Sequence, residues 1–160
     1  MKLFIIRHAK ASHSDYFPGD IYRTLEKKGY DESMEMAERI RSAAGKPDLI
    51  VSSPAIRAFS TALVFALHLN YDSRTIALNP LIYETDNRTL LRIINSIDDK
   101  YQSVMLFGHN PGLSDLVNDL CNPVFSGLPT AGIAELEFSV NRWSDVEAGS
   151  AVLKNKYFPG

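Results

Sequence analysis

Four basic side chains occupy positions where chemistry can be done. Arg7 and His8 close the apolar run at residues 3–6, Arg57 ends the stretch Ser52-Ser-Pro-Ala-Ile-Arg57, and His109 follows a second apolar run within Gly108-His-Asn-Pro-Gly112. Arginine offers a planar fork of donors suited to phosphate, and a neutral imidazole is a nucleophile or proton carrier near pH 7. Taken singly, each has a plain reading: Arg7 as a surface cation, His8 as a polar strand end, Arg57 reaching into solvent, His109 bonded to a backbone carbonyl. Taken together they suit a tetrahedral anion. Phosphoryl transfer needs charge on three equatorial oxygens stabilised and a nucleophile held in line, which arginine forks and helix termini provide. Glu84, in a loop before a helical pattern, is the candidate proton donor for such a reaction, although a lone carboxylate in that setting is also ordinary surface.

These side chains converge only if the right elements carry them. Residues 3–6, 48–51 and 103–107 are short apolar runs typical of strands buried on both faces. A parallel layout would bring their carboxyl ends to one edge, where open α/β sheets place ligands. Residues 9–23, with Pro18-Gly19-Asp20, read as a loop over that edge, and Lys10, Ser12, His13 and Ser14 are positioned to touch a ligand there. Thr24 is placed to cap a helix running to about Ala44, with Gly29, Ser33, Met36, Ala37, Ile40 and Ala44 on its inner face and Gly45 just past its end. Ser53 as N-cap and Pro54 as first residue would open a second helix, burying Ala58, Ala62, Phe65 and Leu69. A short strand at 74–78, a helix at 89–97 and a helix opened by Asn110 and Pro111, burying Leu113, Leu116, Val117 and Leu120, follow. Leu136, Phe138 and Val140 alternate with Glu135, Glu137 and Ser139, which predicts a strand with one wet face. A turn at 141–149, with Trp143 packed, leads to a last strand over 151–158, making the carboxyl end antiparallel. The expected fold is a three-layer α/β/α arrangement of residues 1–160 as a single domain, with a mainly parallel central sheet and an antiparallel C-terminal strand.

Composition narrows the partners. Hydrophobic residues at 45% and charged residues at 22% are those of a globular protein, and 160 residues suffice to bury about 70% of the unfolded surface. Seventeen basic against nineteen acidic residues give a net charge of -2, so no general field favours nucleic acid or membrane, and any anion site must be local. The lone Cys121 allows no internal disulfide, no zinc-type Cys/His spacing occurs, and no run is long enough to span a membrane, so a cytoplasmic setting is expected. No exposed apolar stripe stands out, and a monomer is expected.

The motifs resemble those of the histidine phosphatase superfamily, which includes the phosphoglycerate mutases, and within it the phosphohistidine phosphatase SixA-like branch. Arg7-His8-Ala9-Lys10, Arg23-Thr24-Leu25 with Gly29, the run from Ser52 to Ala58, Gly108-His109-Asn110-Pro111-Gly112 and Leu128-Pro-Thr-Ala-Gly-Ile133 carry the likeness across most of the chain. The resemblance implies that His8 attacks phosphorus to form a phosphohistidine, that Arg7, Arg57 and His109 bind the phosphoryl oxygens, and that no metal or other cofactor takes part. His8 should then donate from its other ring nitrogen to a carbonyl. Position 9 is alanine where most of the superfamily has glycine, as the SixA-like branch allows, and Ser60 replaces the usual glutamine. The substrate is a phosphorylated protein, including one carrying phosphohistidine, or a small phosphate ester. Mutase activity would require shielding the phosphoenzyme from water, and the chain has little spare length for a lid. A non-catalytic phosphoprotein-binding module is the alternative from another class, disfavoured because binding alone needs no nucleophile. A generic nucleotide-binding protein is a third reading, weakened by the absence of a glycine-rich phosphate loop.

Overall fold

The computed structural model describes residues 1–13, 17–122 and 125–160. Ten main elements follow in order: β1 (Lys2–Arg7), α1 (Lys27–Ala43), β2 (Leu49–Ser52), α2 (Ile56–His68), β3 (Ala77–Leu78), α3 (Asn87–Asn95), β4 (Ser103–Gly108), α4 (Gly112–Cys121), β5 (Ile133–Phe138) and β6 (Ala151–Tyr157). The six strands form one sheet in the order β3-β2-β4-β1-β5-β6. β3, β2, β4 and β1 run parallel, whereas β5 is antiparallel to both β1 and β6.

Alternation along the central strands divides the core in two. Leu3 and Ile5 of β1 face the cluster that includes Leu106, Leu113, Leu116, Ile94 and Trp143. Phe4 and Ile6 face the other, with Met105, Phe107, Ile40 and Phe65. α1 packs on α2, and α3 on α4, so helices cover both faces as expected. Each buried Leu, Ile or Phe contributes about 2 kcal/mol relative to exposure.

Several local expectations need correction. Thr24 does not cap α1: residues 24–26 pair with 10–12 instead, through the Ala11–Leu25 bridge, the Ser12 N–H donating to the Thr24 carbonyl (2.9 Å) and the Glu26 N–H donating to the Lys10 carbonyl (2.9 Å), which delays the helix to Lys27. Ala44 is exposed, while Gly45 supplies the left-handed φ of 74° after the helix. α2 begins at Ile56, after Ser53 and Pro54, because the Ser53 hydroxyl bonds the Ala55 N–H within a tight turn. Glu135 is buried on the face expected to be wet. Asn155 Nδ2 (2.9 Å) and Tyr157 Oη (3.0 Å) of the last strand donate to its carboxylate, and Lys2 Nζ lies 3.8 Å away. α2 also leaves Ile56, Leu63 and Leu67 exposed, an apolar stripe hidden in the sequence because the helix is apolar nearly all round.

Gly29 shows why a helix start can demand glycine. A Cβ there would lie 2.2 Å from the Lys10 carbonyl oxygen, the acceptor that holds the Glu26 N–H. Backbone cannot yield as a side-chain end can. Gly29→Ala is therefore expected to destabilise the protein by about 2 kcal/mol despite alanine's higher helix propensity, measured by urea denaturation. Unchanged or increased stability would contradict this packing.

Candidate active site

Register places the two histidines side by side. In the sheet, β4 lies between β2 and β1, with Arg7 opposite Gly108 and Ser52 opposite Phe107. The His8 N–H then donates to the Gly108 carbonyl (3.1 Å), and the Ser53 N–H to the Phe107 carbonyl (3.0 Å). The chain thus leaves three adjacent parallel strands at one level. The His8 and His109 rings stand 5.3 Å apart, centroid to centroid, on a cavity of about 540 Å³ that Arg7 and Arg57 also line.

Each side chain is held by identifiable partners. The Ala9 carbonyl lies 2.8 Å from His8 Nδ1, and since a carbonyl only accepts, Nδ1 carries the proton and Nε2 keeps a lone pair. Ala9 itself needs no left-handed backbone, and its N–H donates to Thr61 Oγ1 (3.0 Å), so the replacement of glycine at this position causes no strain. Arg7 Nη1 donates to the Leu128 carbonyl (3.1 Å), while its buried Nε has no partner. Arg57 donates from Nη1 to the Asp20 carbonyl (2.8 Å) and from Nη2 to Asp20 Oδ2 (2.9 Å), again leaving a buried Nε without a partner. His109 Nε2 lies 2.8 Å from Ser53 Oγ.

Asp20 was not singled out by sequence reasoning. From the short 3-10 turn Asp20–Tyr22 it accepts from Arg57, from Arg23 Nη1 (2.9 Å) and from the Tyr83 hydroxyl (2.5 Å), and these donors push its carboxyl well below the usual range, led by the Tyr83 bond. Its carboxylate is held as an anion between Arg57 and Arg23. Burial and the neighbouring carboxylate push Tyr83 up to about 12, keeping it a donor. The Tyr83 ring also meets His109 edge-on at 5.5 Å. Nothing in the sequence marks Asp20 or Tyr83, because their contact joins residues 63 apart.

Of the further expected residues, Lys10, His13 and Glu84 line the cavity. Glu84 does so from a left-handed φ of 48°, which costs a non-glycine residue about 1 kcal/mol. The Ser12 carbonyl accepts from Arg23 Nε (2.6 Å), whereas Ser14 lies outside the described residues. Among the described residues no group of three or more His, Cys, Asp or Glu could hold a metal ion, and no helix is long and apolar enough to cross a membrane.

Burial dominates the electrostatics of the histidines. It lowers His8 to about 4, helped by Arg57, Arg7 and Arg23 against the opposing Ala9 bond, and lowers His109 to about 3, helped by His8 and Arg57. Both rings are therefore neutral at pH 7. Above pH 6.5 both are also neutral in the unfolded chain. As pH falls below 6.5 the unfolded chain takes up protons that the folded protein refuses, so stability is lost until the folded values are reached. For His8 alone the full loss is on the order of 3 kcal/mol. Asp20, ionised in both states across most of this range, contributes only at lower pH. Urea denaturation between pH 7 and pH 4.5 should show declining stability, with a shallower slope in His8→Gln; a flat profile would contradict the burial of neutral imidazoles.

A two-armed arginine site around a neutral, carbonyl-anchored imidazole has the components of a phosphoryl-transfer centre. The sequence profile of the histidine phosphatase superfamily (branch 1) matches residues 3–121, and the chain belongs to that superfamily. Within it the fold resembles the SixA-like branch: a candidate phosphohistidine phosphatase SixA from Agrobacterium tumefaciens superposes with a TM-score of 0.84 at 27% identity, covering 99% of this chain and 97% of that one. The protein histidine phosphatase SixA complexed with tungstate shares the fold at the same TM-score and 24% identity, over 99% of this chain and 97% of its own. In sequence, an uncharacterized protein of Mycobacterium leprae (strain TN) is 26% identical over 96% of this chain and 99% of its own length.

Proposed function

We propose that this protein hydrolyses phosphohistidine in proteins, without a metal, through a phosphohistidine formed on His8. The observation that carries the reading is the His8 Nδ1–H bond to the Ala9 carbonyl, which leaves Nε2 as the lone-pair nitrogen beside Arg7 and Arg57. Nε2 attacks phosphorus as the P–N bond of the substrate breaks; from the ring-protonated phosphohistidine the bonding pair returns to the nitrogen and a neutral imidazole departs with its proton on the other nitrogen. Water then attacks the phosphorus on His8, a P–O bond replaces the P–Nε2 bond, and orthophosphate leaves. Arg7, Arg57 and His109 hold the equatorial oxygens and meet the charge that develops there. The phosphoryl group takes over the Arg57 fork, which at rest donates to the Asp20 backbone carbonyl from Nη1 and to the Asp20 carboxylate from Nη2.

Lack of a required acid distinguishes this substrate. Asp20 stays ionised and the Tyr83 hydroxyl proton is engaged by the Asp20 carboxylate, so neither is poised to donate to a leaving alkoxide. Glu84 on the cavity wall supports the second reading, a small phosphomonoester whose leaving oxygen takes a proton from that carboxyl. The test is a panel of a phosphohistidine protein, a phosphoserine protein and small esters, each assayed with chelator. Rapid release from the phosphohistidine protein is expected. Preference for small esters with loss in Glu84→Gln would favour the second reading, and turnover of none would leave a phosphate-binding module.

A further inference from the structure

Ser53 is fully buried, and its hydroxyl has two neighbours. Oγ accepts from the Ala55 N–H (3.2 Å) and lies 2.8 Å from His109 Nε2. A hydroxyl carries one proton and two lone pairs. A neutral His109 with its proton on Nε2 would donate to the second lone pair, stranding the Ser53 proton and leaving Nδ1 a bare acceptor near two arginines. With the proton on Nδ1, Ser53 O–H donates to Nε2 while one lone pair keeps the Ala55 N–H, so the buried hydroxyl proton has its acceptor and only a second lone pair goes unused. The remaining group, Nδ1, is buried and without a partner. It is then the donor that a phosphoryl oxygen completes.

We propose that Ser53 is a positioning residue that fixes His109 as its Nδ1–H tautomer, making the ring a neutral hydrogen-bond donor to the transferring phosphoryl group. The functional part rests on the phosphoryl-transfer reading of the cavity; the tautomer does not. A neutral donor strengthens as charge builds on the phosphoryl oxygen, yet adds no titration near neutral pH that would compete with the free base at His8. Imidazole in water prefers the proton on Nε2, so without the Ser53 hydroxyl His109 would present a lone pair to the anion.

Nitrogen NMR on histidine-labelled resting enzyme tests the tautomer directly: His109 should show a protonated, pyrrole-type Nδ1 and a pyridine-type Nε2. Ser53→Ala should move the signals toward the opposite tautomer and lower kcat about 100-fold, with a smaller change in KM. Ser53→Thr, which keeps the hydroxyl, should restore the signals and most of the rate. In His109→Asn, whose amide N–H stands where Nδ1–H stood, the further change Ser53→Ala should cost less than twofold. A pyrrole-type Nε2 in the unaltered enzyme overturns the proposal even if Ser53→Ala does not fold. An equal loss from Ser53→Ala in both backgrounds would assign Ser53 to packing alone. The expected tautomer in a protein that hydrolyses no phosphate compound would leave the positioning intact and remove the reaction it was to serve.

Discussion

His8→Ala is expected to lower turnover at least about 10,000-fold, because it removes the atom that forms the new bond to phosphorus. No other imidazole can substitute. His109 is turned toward Ser53, and His13 is exposed on the outer rim, where Arg23 Nη2 donates to its Nδ1 (3.2 Å). The fold should persist, since His8 belongs to neither apolar cluster and its side-chain bond is confined to the neighbouring Ala9 carbonyl. Loss of a buried neutral imidazole also removes part of the instability expected below pH 6.5. Steady-state kinetics with a phosphohistidine protein, alongside thermal denaturation, checks both halves. Retained hydrolysis in a folded His8→Ala protein would end the proposed mechanism.

Arg57→Ala should cost about 1,000-fold in kcat/KM, the scale on which arginines stabilise phosphoryl-transfer transition states. Arg57 is the second residue of α2, is almost wholly buried, and holds its fork against Asp20, Nη1 on the backbone carbonyl and Nη2 on the carboxylate. Arg57→Lys should recover little, because an ammonium on a flexible stem cannot reproduce the fork. Asp20 retains Arg23 and Tyr83 in either variant, so the surrounding loop should stay anchored. Kinetics on Arg57→Ala and Arg57→Lys would detect this; equal activity of the lysine variant would show that charge alone suffices.

What could be read from the sequence follows from how each residue is held. His8, His109 and Arg57 are fixed by local signals, an apolar strand ending or a helix beginning, and strand register then does the gathering. The helices' inner faces were equally visible, with Leu113, Leu116, Val117 and Leu120 buried as their spacing requires. Thr24 misled because pairing between residues 10–12 and 24–26 outweighs a local capping preference. Glu135 misled because the partners that satisfy it, Lys2, Asn155 and Tyr157, come from neighbouring strands. Ser53 reads as a helix cap because serine before proline usually is one, and only the tertiary approach of His109 gives its hydroxyl a second partner. Asp20 and Tyr83 meet Arg57 through loop geometry that leaves no periodic trace.

Trapping the covalent intermediate tests the central claim most directly. Acid-stable and acid-labile phosphate should be separated after rapid quenching of the enzyme with a radiolabelled phosphohistidine protein. An alkali-stable, acid-labile label on the peptide bearing His8, absent from His8→Ala, is the result that this chemistry requires. Label on another residue, or brisk turnover with no label on the enzyme at any quench time, would contradict it.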